Sequence, residues 1–339
     1  MRFLLVCLLP LLPCFPAHLR VENKRPSPAL IRGAALGPDH QTFYTWGDGA
    51  YRWISQRPER LASGWFGEGG CVMDIDRDGE PDLVLQRGEG LGDLVWISGR
   101  TRAVLRIDTG ISMHDCLSTG LLGHQGFLMI QRGMQVRFYE PPSTPGADWG
   151  YQEVYSFYTP SRQGMLLRTD IDGDGRPDIL CGNYWIRSPE RFDLPWHLYA
   201  INTYSETENS STARMALLSG ASGVLLAQAH MPDARLTWFA KPPDLIHDLW
   251  QEHRLEANLH LQFPHGLVAI GGNALLAEHN GPASRVFVIR QITPGEFAVE
   301  PTALKFDSVA LLPLARSRIL AVGPAGIQVW SAYFEPPRK

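Results

Sequence analysis

Short apolar runs rich in Val, Leu, Ile and aromatic residues alternate along the whole chain with clusters of Gly, Pro, Asp and Asn. Runs of that length between turn residues predict β-strands rather than helices. Helical periodicity is nearly absent; Asp244 to Glu256 leaves room for a turn or two at most. One element recurs, a strand carrying an aromatic residue. It reads Tyr51-Arg52-Trp53-Ile54, Leu94-Val95-Trp96-Ile97, Val136-Arg137-Phe138-Tyr139 and Asn183-Tyr184-Trp185-Ile186, then Leu236-Thr237-Trp238-Phe239, Arg285-Val286-Phe287-Val288 and Gln328-Val329-Trp330. The aromatic positions 53, 96, 138, 185, 238, 287 and 330 are separated by 43, 42, 47, 53, 49 and 43 residues.

Each unit has the same internal order. An inner apolar strand comes first (Cys71–Met73, Met165–Thr169, Leu267–Ile270), then a tight loop and a second apolar strand (Leu83–Gln86, Phe127–Gln131, Leu275–Glu278). The aromatic strand is third, and a more polar strand ends the unit (Ala103–Ile107, Gln152–Tyr155, His197–Ile201). Repeats of this length with a few short strands each predict an all-β fold, a seven-bladed β-propeller with four-stranded antiparallel blades. The expected blades are approximately 30–65, 66–110, 111–158, 159–205, 212–258, 262–304 and 305–334, within a single domain spanning 18–339. The last unit lacks a fourth strand, and Leu19-Arg20-Val21-Glu22 is the candidate to supply it. An N-terminal strand over about 18–25 closes the ring and removes open edges.

Composition agrees with many turns and little helix. Among 339 residues there are 33 Gly and 26 Pro, and only 19% are charged. A formal net charge of −4 offers no footprint for nucleic acid. Met1-Arg2 followed by the apolar run Phe3 to Leu12 reads as a secretory signal over 1–17, which places the protein outside the cytoplasm. Pro13 argues against a lipid anchor on Cys14, and no segment is long and apolar enough to span a membrane. Beyond the leader, Cys71, Cys116 and Cys181 each lie in a strand-like run and fit no zinc pattern. They are expected to be buried free thiols, with one pairing left open.

Two nine-residue stretches carry specific chemistry. Asp74-Ile75-Asp76-Arg77-Asp78-Gly79-Glu80-Pro81-Asp82 and Asp170-Ile171-Asp172-Gly173-Asp174-Gly175-Arg176-Pro177-Asp178 share the pattern D-x-D-x-D-G-x-P-D. Alternating carboxylates with Gly at position six suit a calcium ion, and without a cation they repel one another. Position twelve is Leu85 or Cys181, not Glu, which excludes an EF-hand. Apolar residues on both sides place each loop at a hairpin tip. These residues resemble the FG-GAP/VCBS repeat family, which includes the propeller head of integrin α chains. The resemblance implies two structural Ca2+ ions, held by Asp74, Asp76, Asp78, Glu80 and Asp82 and by Asp170, Asp172, Asp174, Arg176 and Asp178. Only the second and fourth units keep these carboxylates.

Both loops fall on one face of the ring, so a ligand is expected at the opposite end of the channel. There the starts of the inner strands carry Glu68, His114, Gln163, Arg214 and His265. The ends of the second strands carry Arg87, Arg132, Asn183, His230 and His279. Strand ends in any propeller meet water, but this set concentrates His and Arg, which recognise anionic and polar groups. The primary expectation is an exported binding or scaffold module for a glycan or a protein surface. The alternative is a calcium-containing polysaccharide lyase acting by β-elimination. It takes Arg87, Arg132 or Arg214 to neutralise a uronate, His114 or His265 as base and Tyr184 as acid.

Overall fold

The computed structural model describes residues 18–143, 147–157, 164–201, 213–219, 222–228, 234–255 and 259–334. The leader with Cys14, and the channel candidates Gln163 and His230, lie outside the described residues. Among the described residues strands dominate, and a single 3-10 turn occupies Gly281–Ala283. The chain opens with β1 (His18–Pro26), β2 (Ile31–Leu36), β3 (Phe43–Ile54) and the long β4 (Arg57–Met73). Next come β5 (Asp82–Arg87), β6 (Gly92–Ile97) and β7 (Val104–Ile111), then β8 (Met113–Leu121), β9 (His124–Gln131), β10 (Gln135–Tyr139) and β11 (Tyr151–Ser156). They are followed by β12 (Leu166–Thr169), β13 (Asp178–Cys181), β14 (Tyr184–Arg187) and β15 (His197–Ala200). The next group is β16 (Ala213–Ala216), β17 (Gly223–Gln228), β18 (Arg235–Ala240) and β19 (Gln251–Arg254). Then come β20 (Pro264–Ile270), β21 (Asn273–Glu278), β22 (Arg285–Thr293) and β23 (Glu296–Lys305), and the chain ends with β24 (Ala310–Leu314), β25 (Arg318–Gly323) and β26 (Gly326–Tyr333). The possible helix after Asp244 is reduced to one turn, closed by Asp248 N–H to Asp244 O at 3.0 Å.

Sequence neighbours pair as antiparallel meanders. Four sheets hold β8 to β11, β12 to β15, β16 to β19 and β20 to β23. A fifth joins β24, β25 and β26 to β1, with Val21 opposite Trp330 and Leu19 opposite Ala332. The N-terminal strand thus completes the last unit and ties the two ends of the chain together.

The expected count of seven separate blades is corrected by the sixth sheet, which has six strands in the order β2-β3-β4-β5-β6-β7. The described chain therefore forms six sheets. The cause lies in β4, whose first half pairs with β3 (Arg57 to Trp65) and whose second half pairs with β5 (Phe66 to Met73). Leu61 to Met73 contains no Pro, Asn or Asp, and β4 runs through it unbroken from the first unit into the second. The strand bends at glycine: Gly64 has φ +128°, and the β4–β5 register shifts between Phe66 and Gly70.

Seven apolar clusters lie between consecutive units around the ring. One packs Tyr44, Trp46 and Leu61 of the first unit against Leu83, Leu85 and Ile97 of the second, so the six-stranded sheet folds onto itself. Another joins Phe43 and Trp53 to Leu320 and Val329 across the closure. The repeat aromatics serve as wedges in these layers, and Trp53, Trp185 and Trp330 are fully buried. Burying each stabilises by about 3 kcal/mol.

The thiol expectation is corrected for two of three cysteines. Cys71 on β4 and Cys116 on β8 form a disulfide across a separation of 45 residues. Both sit in the apolar layer between the second and third units, which brings their strands side by side despite the distance in sequence. Cys181 is free and buried, and burial pushes its thiol far up.

Candidate functional site

The inner strands line a central cavity of about 340 Å³. Glu68 on β4, His114 on β8, Arg214 on β16 and His265 on β20 all reach it. These are four of the five residues expected at inner-strand starts. Arg32 on β2 and Asp115 on β8 also line it, and both escape strand alternation. The reason is a repeated irregularity. Register shifts interrupt pairing between Ile31 and Gly33, Phe66 and Gly70, Met113 and Cys116, and Pro264 and Gly266. Arg32, Glu68, His114, Asp115 and His265 sit within them. A bulge adds an unpaired residue and re-aims its side chain, so charged groups enter a channel that regular alternation would leave apolar.

Their hydrogen bonds are defined. Arg214 donates from Nε to His265 O at 2.9 Å and from Nη2 to His265 Nε2 at 3.2 Å. His265 Nδ1 donates to Val309 O at 3.0 Å. A carbonyl only accepts, so Nδ1 carries the proton and the Nε2 lone pair faces Arg214. Burial, then the positive charge of Arg214, then His279, hold this imidazole well below its ordinary pKa, so it is neutral. Asp115 accepts Leu166 N–H at 2.6 Å. Burial raises its carboxyl, and Arg214 counters that rise. Trp46 Nε1 donates to Glu68 O at 3.0 Å, fixing the backbone at that bulge. Arg32 pairs with Asp48 and lies 4.8 Å from the centre of the Trp65 ring.

The second-strand residues do not join this group. Arg87 and Arg132 are exposed and outside the cavity, and Asn183 is buried near the end of β13. His279 approaches from the rim, its ring 5.3 Å from that of His265 and its Nδ1 2.9 Å from Asp307. Tyr184 belongs to the third strand, packed 5.2 Å from Phe157. Of the set assigned to β-elimination, Tyr184, the expected acid, does not line the cavity. Only His114, Arg214 and His265 share the cavity, and the lone pair of His265 is already engaged. The arrangement suits recognition of a polar group better than proton abstraction.

The acidic loops lie between β4 and β5 and between β12 and β13, at the far ends of those inner strands. In the first, Asp74 accepts the N–H groups of Asp78 and Gly79, both at 3.0 Å. In the second, Asp170 accepts from Gly173 at 2.7 Å and Gly175 at 2.9 Å. Gly79 and Gly175, at position six, have φ of +87° and +84°, a conformation favoured only for Gly. Oxygens of Asp74, Asp76 and Asp78 lie within 4.8 Å of one another, as do those of Asp170, Asp172 and Asp178. That hard-oxygen set fits a calcium ion.

The remaining loop residues have other partners as well. Asp82, fully buried, accepts Ile75 N–H at 2.9 Å and Gly99 N–H at 2.8 Å. Asp178 does the same with Ile171 and Ser188. Position nine thus staples the loop to the turn after the third strand. Burial pushes Asp82 up to about 6, and the charges of Asp76 and Asp78 act in the same direction. The Glu80 carboxylate accepts from Arg52 at 3.0 Å, so its main-chain carbonyl is what it can offer a cation. The Arg176 side chain bonds Asp174, so its carbonyl is likewise what it can offer a cation. Arg100 pairs with Asp78 at 2.8 Å and Arg187 with Asp172 at 2.7 Å, compensating part of the negative charge.

No protein-family model matches this sequence, and no curated protein matches it in sequence. Solved structures match in shape. The β-propeller domain of Myceliophteria thermophila Cps50 (Swd1) is 12% identical with a TM-score of 0.62, over 93% of this chain and 99% of that one. Streptogramin B lyase is 10% identical with a TM-score of 0.61, over 94% and 98%. The RRP9 WD40 repeats are 10% identical with a TM-score of 0.55, over 93% and 97%. Identities this low carry the fold alone. The protein is an all-β β-propeller of antiparallel blades.

Proposed function

We propose that the protein is an exported, calcium-fastened binding propeller that holds a glycan or a protein segment at the channel end opposite its acidic loops. The observation that carries this reading is the convergence of Glu68, His114, Asp115, Arg214 and His265 on one cavity. Donors and acceptors fixed in place by bulges and backbone hydrogen bonds, on apolar walls, are what a small recognition pocket requires. A cavity of about 340 Å³ suits one sugar unit, or one side chain at the tip of a partner loop. The Cys71–Cys116 disulfide supports export, since such bonds persist in oxidising compartments. The spacing of the carboxylates supports kinship with FG-GAP/VCBS repeats and a calcium ion in each loop.

Screening purified protein on glycan and peptide arrays tests the proposal. A ligand bound through the channel weakens about ten-fold in Glu68→Gln or His114→Ala and is unaffected by Arg87→Ala or Arg132→Ala on the outer surface. The reverse pattern removes the channel from the function.

A further inference from the structure

Six of the seven repeat aromatics are sealed. Trp53, Phe138, Trp185, Trp238, Phe287 and Trp330 are each 2% exposed or less. The tryptophans among them carry a second ring: Phe43 lies 5.4 Å from Trp53, Tyr199 4.8 Å from Trp185, Phe297 5.0 Å from Trp238 and Phe306 5.1 Å from Trp330. Trp96 breaks the pattern. It is only half-buried, and its cross-strand neighbour on β7 is Leu105, itself 45% exposed. Among the described residues no ring covers its indole. Beside it opens a cleft of about 930 Å³, larger than the channel cavity. Trp149, in the connection from β10 to β11, forms another part of the wall and rests 6.1 Å from Phe127.

Charge of both signs surrounds these two indoles. Arg77, Arg106, Asp76 and Asp148 line the cleft, and neither arginine nor Asp148 forms an ion pair among the described residues. Glu140 and Asp108, also on its wall, are committed to His124 and Tyr139. We propose that this cleft binds an uncharged oligosaccharide, at a site separate from the channel. Guanidinium groups only donate hydrogen bonds and carboxylates only accept them, while a sugar hydroxyl does both. The C–H face of a pyranose ring packs on an indole as any apolar surface does. An apolar ligand would leave the charged groups unpaired and dehydrated. An anionic ligand would meet Asp148 and, on the same wall, Glu140 and Asp108, and a cationic peptide would meet Arg77 and Arg106.

Isothermal titration of the full protein in calcium buffer, with cellohexaose, mannohexaose and chitohexaose as probes, tests this. At least one is expected to bind with submillimolar Kd. Trp149→Ala and Arg106→Gln then weaken it about ten-fold, while Glu68→Gln in the channel leaves it unchanged. Arg106 is exposed, so its variant keeps the test decisive if Trp149→Ala melts early. The proposal is overturned if none of the three hexasaccharides binds. It is equally overturned if hexagalacturonate or hexalysine binds more tightly than all of them. Binding that survives both cleft variants but is lost in Glu68→Gln also overturns it, and leaves the channel reading standing.

Discussion

His265 shows how a single side chain is specified by its surroundings. Its proton position follows from the Val309 carbonyl, and its neutrality from burial beside Arg214. The linked stability has a definite sign. The unfolded imidazole takes up a proton as pH falls through about 6.5, while the folded one resists. The folded state is therefore destabilised below that pH, by about 1.4 kcal/mol per unit until the folded group also titrates. His279, Asp307, Asp115 and Arg214 surround the site, and the raised Asp115 carboxyl acts with the opposite sign. Comparing melting curves of wild type and His265→Asn between pH 7.5 and 5 isolates the histidine, and the variant is expected to lose less stability on acidification. The acidic loops make a second residue-level prediction. Elemental analysis should show about one calcium fewer in Asp74→Ala and in Asp170→Ala. Chelation should lower the melting temperature, in line with about 3–4 kcal/mol at free calcium a hundred- to a thousand-fold above Kd. Protein that carries no calcium and melts identically with chelator would remove the metal from the loops.

At the scale of elements, strand positions were readable because apolar runs and turn residues are local signals. The stretch from Ala103 to Ile107 overlaps β7 from Val104 onward, and Leu83 to Gln86 falls within β5. Two features were not readable. The bulges that turn Arg32 and Asp115 inward are decided by pairing with a neighbouring strand, which local spacing does not encode. The passage of β4 through two units depends on the absence of a terminator over a glycine-rich stretch. β1 carries the element-scale prediction. Its backbone pairs with β26 from His18 to Pro26, so deleting residues 18–26 after the leader exposes the edge of β26 and uncovers part of the final layer. A loss of several kcal/mol is expected, roughly 10 °C in melting temperature. An unchanged melt would show that the ring holds without its closing strand.

Across the whole molecule, order comes from seven apolar layers arranged in a ring, with one covalent fastener added. The disulfide ties adjacent inner strands, and closing a loop of 45 residues stabilises by about 2–4 kcal/mol. Reductant, or the Cys71→Ala/Cys116→Ala variant, should lower the chemical-denaturation midpoint accordingly, with the same spectroscopic fold at low denaturant. Sequence alone determined the all-β class, the repeat and its spacing, the pairing of the N-terminal strand with the last unit, and the acidic loops. These depend on local alternation and on short motifs. Tertiary structure decided the number of separate sheets, the Cys71–Cys116 bond, the inward turn of Asp115 and the partial exposure of Trp96. Each of these depends on which strands lie side by side, and that is settled only when the ring closes and its apolar layers pack.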